Sequence, residues 1–164
     1  IGIEIVNGGH DVPLSDGTLP PYPDAQIEAL IALCTGILSR HDIPASRVVA
    51  HSDIAPARKT DPGEHFPWAR LAAAGIGLWP SSAPLSLDES SLMPGDNGPA
   101  VSDLQNMLRA IGYGLEANGA YDEVTRLVIS AFQRRYVPDQ ITGAADPETL
   151  ERIAHVYGLV AGPA

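Results

Sequence analysis

Cysteine is almost absent from this chain. The single thiol, Cys34, has no partner within the sequence, so no internal disulfide can staple the fold. It falls on an apolar helical pattern and is expected in a core. Basic residues are scarce as well: 10 Lys and Arg stand against 20 Asp and Glu, for a net charge of −10. The acidic excess holds on both sides of residue 80, so neither half offers the basic surface that nucleic acid or an anionic membrane would require. Long apolar runs are also missing, and none approaches the ~18 residues that a membrane-spanning helix needs. What remains is 164 residues with 45% apolar composition, enough for one ordinary domain or two small ones with real cores.

The first residues, IGIEIVN, alternate as a strand does, with Ile1, Ile3 and Ile5 on one face and Gly2, Glu4 and Val6 on the other. A domain rarely starts inside its own sheet, and no methionine or signal peptide precedes Ile1. The chain therefore reads as a piece of a longer polypeptide. Glycine and proline mark residues 8–23 as a loop. A helix is expected from Asp24 as its cap, with Ile27, Leu30, Ile31, Cys34 and Leu38 at helical spacing. A short strand, Arg47 to His51, then leads into HSDIAPARKTDPGEHFPW, and Pro67 starts a short helix through WARLAAAG.

Residues 80–94, rich in serine and proline, read as a linker. Beyond them the periodicity becomes helical throughout. Val101, Leu104, Met107, Leu108 and Ile111 mark one helix, Val124, Leu127, Val128, Ala131 and Phe132 a second, and Leu150, Ile153, Ala154 and Tyr157 a third. GAYDEVT and GAADPET repeat the pattern G-A-x-D-x-x-T at a 24-residue offset: the aspartate suits an N-cap and the glycine permits the turn before it. Helices this short must pack on one another to be stable, which predicts a three-helix module.

Chemistry concentrates on the proline-braced loop. His51 and Asp61, ten residues apart, could supply an imidazole nitrogen and a carboxylate oxygen to a zinc ion. Pro56 and Pro62 would hold such donors in place at low entropic cost. Lys59 lies two residues before Asp61 and would be brought close to the metal. Glu4, a carboxylate in an apolar strand, faces either solvent or a polar site.

GIEIVNGG, YPDAQIEALIAL and VVAHSDIAPARKTDPGEHFPW together resemble the zinc-dependent N-acetylmuramoyl-L-alanine amidases, the superfamily that includes phage lysozyme-type amidases and peptidoglycan recognition proteins. The segment DLQNMLRAIGY, GAYDEVT and SAFQRRY resembles the three-helix peptidoglycan-binding domain that ends some bacterial cell-wall amidases. The resemblance implies an α/β fold, a mixed sheet with flanking helices, truncated at its N-terminus and followed by a small all-α domain. Residues 1–79 would be the C-terminal part of the catalytic domain, 80–94 the linker and 95–164 the wall-binding domain.

It further implies His51 and Asp61 as zinc ligands, Glu4 as the catalytic carboxylate and Lys59 as the lysine that assists at the zinc. The third ligand, a histidine, would lie upstream of Ile1, since His10, His41, His65 and His155 are not convincing substitutes. The expected partners are peptidoglycan or muropeptides; the upstream segment is expected to be cleaved but still docked, present as a separate chain, or lost, so the protein's own N-terminal fragment is one candidate partner. The expected location is the periplasm or outer membrane of a bacterium. A peptidoglycan-binding protein without turnover is the alternative, although binding alone does not need Glu4, Lys59 and Asp61 as a set.

Overall fold

The computed structural model describes residues 1–80 and 90–162. Its helices are α1 (Asp24–Leu38), α2 (His51–Ile54), α3 (Trp68–Ala73), α4 (Pro99–Ile111), α5 (Glu123–Tyr136) and α6 (Pro147–Ala161). The linker assigned to residues 80–94 falls largely outside the described residues.

The expected mixed sheet is not there. Among the described residues no strand forms, and the only β pairings are two isolated bridges, Leu92 with Ala145 and Asn97 with Ala120. Alternation in sequence says which side chains share a face, but a strand exists only through ladder hydrogen bonds to a neighbour. The first seven residues run without such a neighbour. Ile1 and Ile3 lie exposed, Ile5 packs on the core, and the Val6 carbonyl accepts a bond from the Gln26 side chain at 2.8 Å instead. The strand expected at Arg47 to His51 is divided in three: a 3-10 turn over Ala45–Arg47, extended backbone at Val48, and α2 starting at His51 itself.

The first core gathers Ile27 and Leu30 of α1, Ala50, Phe66, Trp68 and Leu71 of α3, and Ile76, with Cys34 half-buried at its margin. Burial pushes the Cys34 thiol pKa up, so this sulfur is held as the neutral thiol. Pro23, not Asp24, occupies the cap position of α1, and Asp24 is already helical. Its carboxylate instead pairs with Arg70 of α3.

The second core is the three-helix module. Val101, Leu104 and Leu108 of α4, Val128, Ile129 and Phe132 of α5, and Ile153 and Val156 of α6 are all essentially inaccessible to solvent. The repeated entrance motif does what its residues suggest. Asp122 Oδ1 accepts from the Thr125 amide at 2.9 Å, and Asp146 Oδ1 from the Thr149 amide at 2.8 Å. Val124 and Tyr157, expected on the apolar faces, stand partly exposed.

The two cores meet. Trp79 packs against both, and its ring lies 5.9 Å from that of Tyr136. Beside it Arg135 of α5 reaches into the first module, where it is buried against α2 and α3.

Candidate metal and catalytic site

Local hydrogen bonding builds the loop between α2 and α3. The Lys59 and Arg58 amides both donate to the Ala55 carbonyl at 3.0 Å, closing a turn directly after α2. The Ser52 amide donates to the Asp61 carbonyl at 3.0 Å, so the far end of the loop folds back onto the start of α2. Tyr22 Oη donates to the Pro62 carbonyl at 2.9 Å, tying the same point to the approach to α1. Gly63 follows with φ +90°, and its amide donates to the Thr60 carbonyl.

This closure brings two of the expected residues together. His51 Nδ1 and Asp61 Oδ2 lie 3.0 Å apart on an open surface, with 45% and 58% of their side chains exposed. To act as metal ligands, both atoms would have to be free of protons. Metal–donor bonds of 2.0–2.1 Å at tetrahedral angles would put neighbouring donors about 3.3 Å apart. A nitrogen and an oxygen at this spacing therefore suit one edge of a zinc tetrahedron. Among the described residues no group of three or more His, Cys, Asp or Glu that could hold a metal ion converges, so this pair by itself makes up only two donors.

Glu4 is exposed and forms no hydrogen bond or ion pair among the described residues. No contact joins it to His51 or Asp61. Lys59 is half-buried and lies on one wall of a groove of about 350 Å³, together with Pro56, Arg58 and Thr60. The opposite wall belongs to the second module: Arg126, Leu127, Ser130 and Arg134 of α5, with Ile141. Four of the ten basic side chains of an acidic protein thus line one groove. Arg126 is held by Glu123 and Arg134 lies 3.6 Å from Glu64, while Arg58 and Lys59 have no side-chain ion pair or hydrogen bond among the described residues.

The remaining histidines of the region brace the loop. His65 stacks on Tyr22 with ring centroids 5.0 Å apart and faces Asn7 Oδ1 at 3.4 Å, and His10 meets Glu64 at 3.1 Å. Sequence reasoning missed one cluster altogether. Asp53 is buried two residues after His51, with Oδ2 accepting from the Ala50 amide at 2.8 Å and from Arg135 at 2.7 Å, and Oδ1 accepting from Tyr113 Oη at 2.8 Å. Burial pushes the Tyr113 phenol well above its usual range, and the Asp53 charge adds to the shift. An aspartate of α2, a tyrosine just past α4 and an arginine of α5 carry no local signal that they will meet.

An exposed imidazole–carboxylate pair thus lies at the ends of a braced loop whose other residues line a groove shared with the helical module. Residues 1–64 match the family described as N-acetylmuramoyl-L-alanine amidase, and residues 97–153 match the putative peptidoglycan binding domain. The chain thus carries a segment similar to that amidase family, followed by a segment similar to that peptidoglycan-binding domain.

Among particular relatives, the chain is 38% identical over 161 residues to the N-acetylmuramoyl-L-alanine amidase AmiD of Escherichia coli, an alignment covering 96% of this chain and 58% of that protein. The 1,6-anhydro-N-acetylmuramyl-L-alanine amidase AmpD of Enterobacter cloacae is 49% identical over 53 residues, 32% of this chain and 28% of AmpD. The chain therefore spans little more than half of the longer relative. Two solved structures are similar. One is E. coli AmiD in complex with the substrate anhydro-N-acetylmuramic acid-L-Ala-D-gamma-Glu-L-Lys (TM-score 0.70, 37% identity, 87% of this chain and 55% of that one). The other is AMPDH3 from Pseudomonas aeruginosa (TM-score 0.73, 33% identity, 88% of this chain and 57% of that one).

Proposed function

We propose that this polypeptide serves hydrolysis of the amide between N-acetylmuramic acid and L-alanine in peptidoglycan or muropeptides, in the periplasm or outer membrane of a bacterium. The observation that carries the reading is the His51–Asp61 pair, 3.0 Å apart inside the segment that matches the amidase family. The two residues would hold zinc together with a third donor, which the family resemblance implies is a histidine outside the residues given. Zinc in such a site supplies Lewis acidity, lowering the pKa of a water towards about 7 and polarising the scissile carbonyl.

The chain's own residues do the rest. Glu4, an unpaired and exposed carboxylate, takes the proton of the attacking water and returns it to the departing amine. Lys59, a free ammonium, stabilises the charge that develops on the carbonyl oxygen. A γ-linked glutamate, such as the one in the substrate bound to AmiD, keeps its α-carboxylate free. The groove of Arg58, Lys59, Arg126 and Arg134 suits stem carboxylates of that kind. Residues 1–79 act as catalytic domain, 80–94 as linker and 95–164 as the domain that keeps the site on an insoluble polymer by raising its effective concentration there.

The test is zinc content, followed by release of free L-alanyl amino termini from purified sacculi, in the polypeptide that carries the third donor. Glu4→Gln should retain zinc and lose at least about a hundredfold in turnover, the scale of general acid–base catalysis. His51→Ala should lose zinc and turnover together. A Glu4→Gln protein that keeps near-normal rates would remove Glu4 from the mechanism. Absence of both zinc and turnover in the parent would leave a peptidoglycan-binding protein.

A further inference from the structure

We propose that Arg135, a residue of the wall-binding module, is a positioning residue for the His51–Asp61 pair, so that the second module is part of the hydrolytic site and not only its anchor. The inference rests on the functional reading above. Its geometric half stands independently of it.

Arg135 lies at the C-terminal end of α5 with its side chain 4% exposed. One terminal nitrogen donates to Asp53 Oδ2 at 2.7 Å, and the other donates to the Val48 carbonyl at 3.0 Å. The two acceptors lie on either side of His51, so the guanidinium spans the six residues that carry it. Asp53 Oδ2 also accepts from the Ala50 amide, which makes the carboxylate a relay from Arg135 to the first turn of α2. The flat face of the same guanidinium rests on the Trp68 ring, 4.0 Å from its centroid. Trp68 opens α3, immediately after the loop that bears Asp61. One side chain from the second module therefore grips the site loop at both ends.

Gly77, at φ +79°, leaves the necessary space, since a Cβ there would stand 3.3 Å from a terminal nitrogen of Arg135. A buried ion pair of this kind is weak evidence for net stability, because desolvation offsets the attraction. Its better-attested use is to select one arrangement, and removing one partner leaves an uncompensated buried charge. Lysine cannot take over the role, because it has no planar fork to reach two acceptors while stacking on an indole.

The experiment compares the chain with Arg135→Met, Arg135→Lys and, as a control, Val156→Ala. Val156 is fully buried in α6 as part of the second core and makes no hydrogen bond to the clamp, so its truncation lowers stability without removing a polar contact of Arg135 or Asp53. Native-state hydrogen exchange is read at the Ser52 amide, bonded to Asp61, and at the Ala50 amide, bonded to Asp53. If Arg135 positions the pair, Arg135→Met speeds exchange at both amides by at least about tenfold relative to amides of the first core, through local opening. Arg135→Lys falls between Arg135→Met and the parent, and Val156→Ala leaves that ratio unchanged.

Equal ratios in Arg135→Met and Val156→Ala would overturn the proposal. Should Arg135→Met fail to fold, Arg135→Lys against the parent decides by the same ratio. In the zinc-loaded polypeptide the same variants should lower kcat for a soluble muropeptide with KM little changed, as expected when geometry and not substrate affinity is lost. Faster exchange in a protein that hydrolyses no amide would sink the functional reading and keep the clamp.

Discussion

At Gly63 the backbone stands at φ +90°, and a Cβ built there would lie 2.8 Å from two atoms of the His65 ring. Both facts act in the same direction, since the left-handed region disfavours any side chain and the ring, stacked on Tyr22, has little room to move. Gly63→Ala should destabilise the protein by about 1–3 kcal/mol in urea unfolding. A cost near zero would mean that the loop can relax. His65 carries a second prediction. Burial lowers its pKa from 6.5, a shift that the neighbouring Glu64 opposes and His10 assists. The folded state therefore binds fewer protons than the unfolded one as pH drops through 6.5, and stability is lost in that window. Urea midpoints of the parent should fall between pH 7.5 and about 5.5, and His65→Gln should show a shallower slope. Parallel slopes would assign the pH dependence to other groups.

Among the elements, the second module was the most readable. The repeated G-A-x-D-x-x-T motif identified both helix entrances and their caps, because capping is a local interaction between residues three apart. The same logic failed for the buried amides that complete each entrance. Gln105 Oε1 accepts from the Gly119 amide at 2.9 Å and its Nε2 donates to Thr125 Oγ1. Gln133 does the same for the Gly143 amide at 2.8 Å and for Thr149 Oγ1. Each glutamine sits on the preceding helix, at a spacing with no sequence signature, and looks like a surface residue until the fold buries it. Gln133→Leu would orphan the Thr142 and Gly143 amides and should cost about 2–4 kcal/mol, against about 1 kcal/mol for Asp146→Ala. Chemical denaturation of the two variants checks the order. Equal costs would mean that water reaches the freed amides. In the first module, α1, α3 and the loop were legible from periodicity and proline. The expected sheet was a misreading, because alternation in IGIEIVN describes a face and cannot supply a pairing partner, and no strand forms among the described residues.

Over the whole molecule, the seam between modules is read by the protein's only two tryptophans. Trp68 lies under the Arg135 guanidinium and Trp79 packs on both cores, so indole fluorescence reports the seam while far-UV circular dichroism reports the helices, most of whose residues lie in the second module. A linker of serine and proline on its own would let two modules unfold independently. Arg135, Asp53 and Tyr113 instead make the opening of the seam expose a buried charge pair, which couples the two cores. The two signals should therefore trace one coincident transition in the parent. Asp53→Asn keeps the shape but leaves Arg135 buried without its counter-charge, a loss of about 3–5 kcal/mol. That exceeds what hydrogen bonding of the neutral amide returns, so the fluorescence transition should move to lower denaturant, ahead of the circular dichroism. Tyr113→Phe removes one hydrogen bond to the same carboxylate, worth about 1–3 kcal/mol because the acceptor is charged, and leaves the ion pair in place. Its two transitions should stay together and shift by less. Separate transitions already in the parent would show that the charge pair does not bind the cores into one unit, and the orientation of the modules would then have to come from the linker.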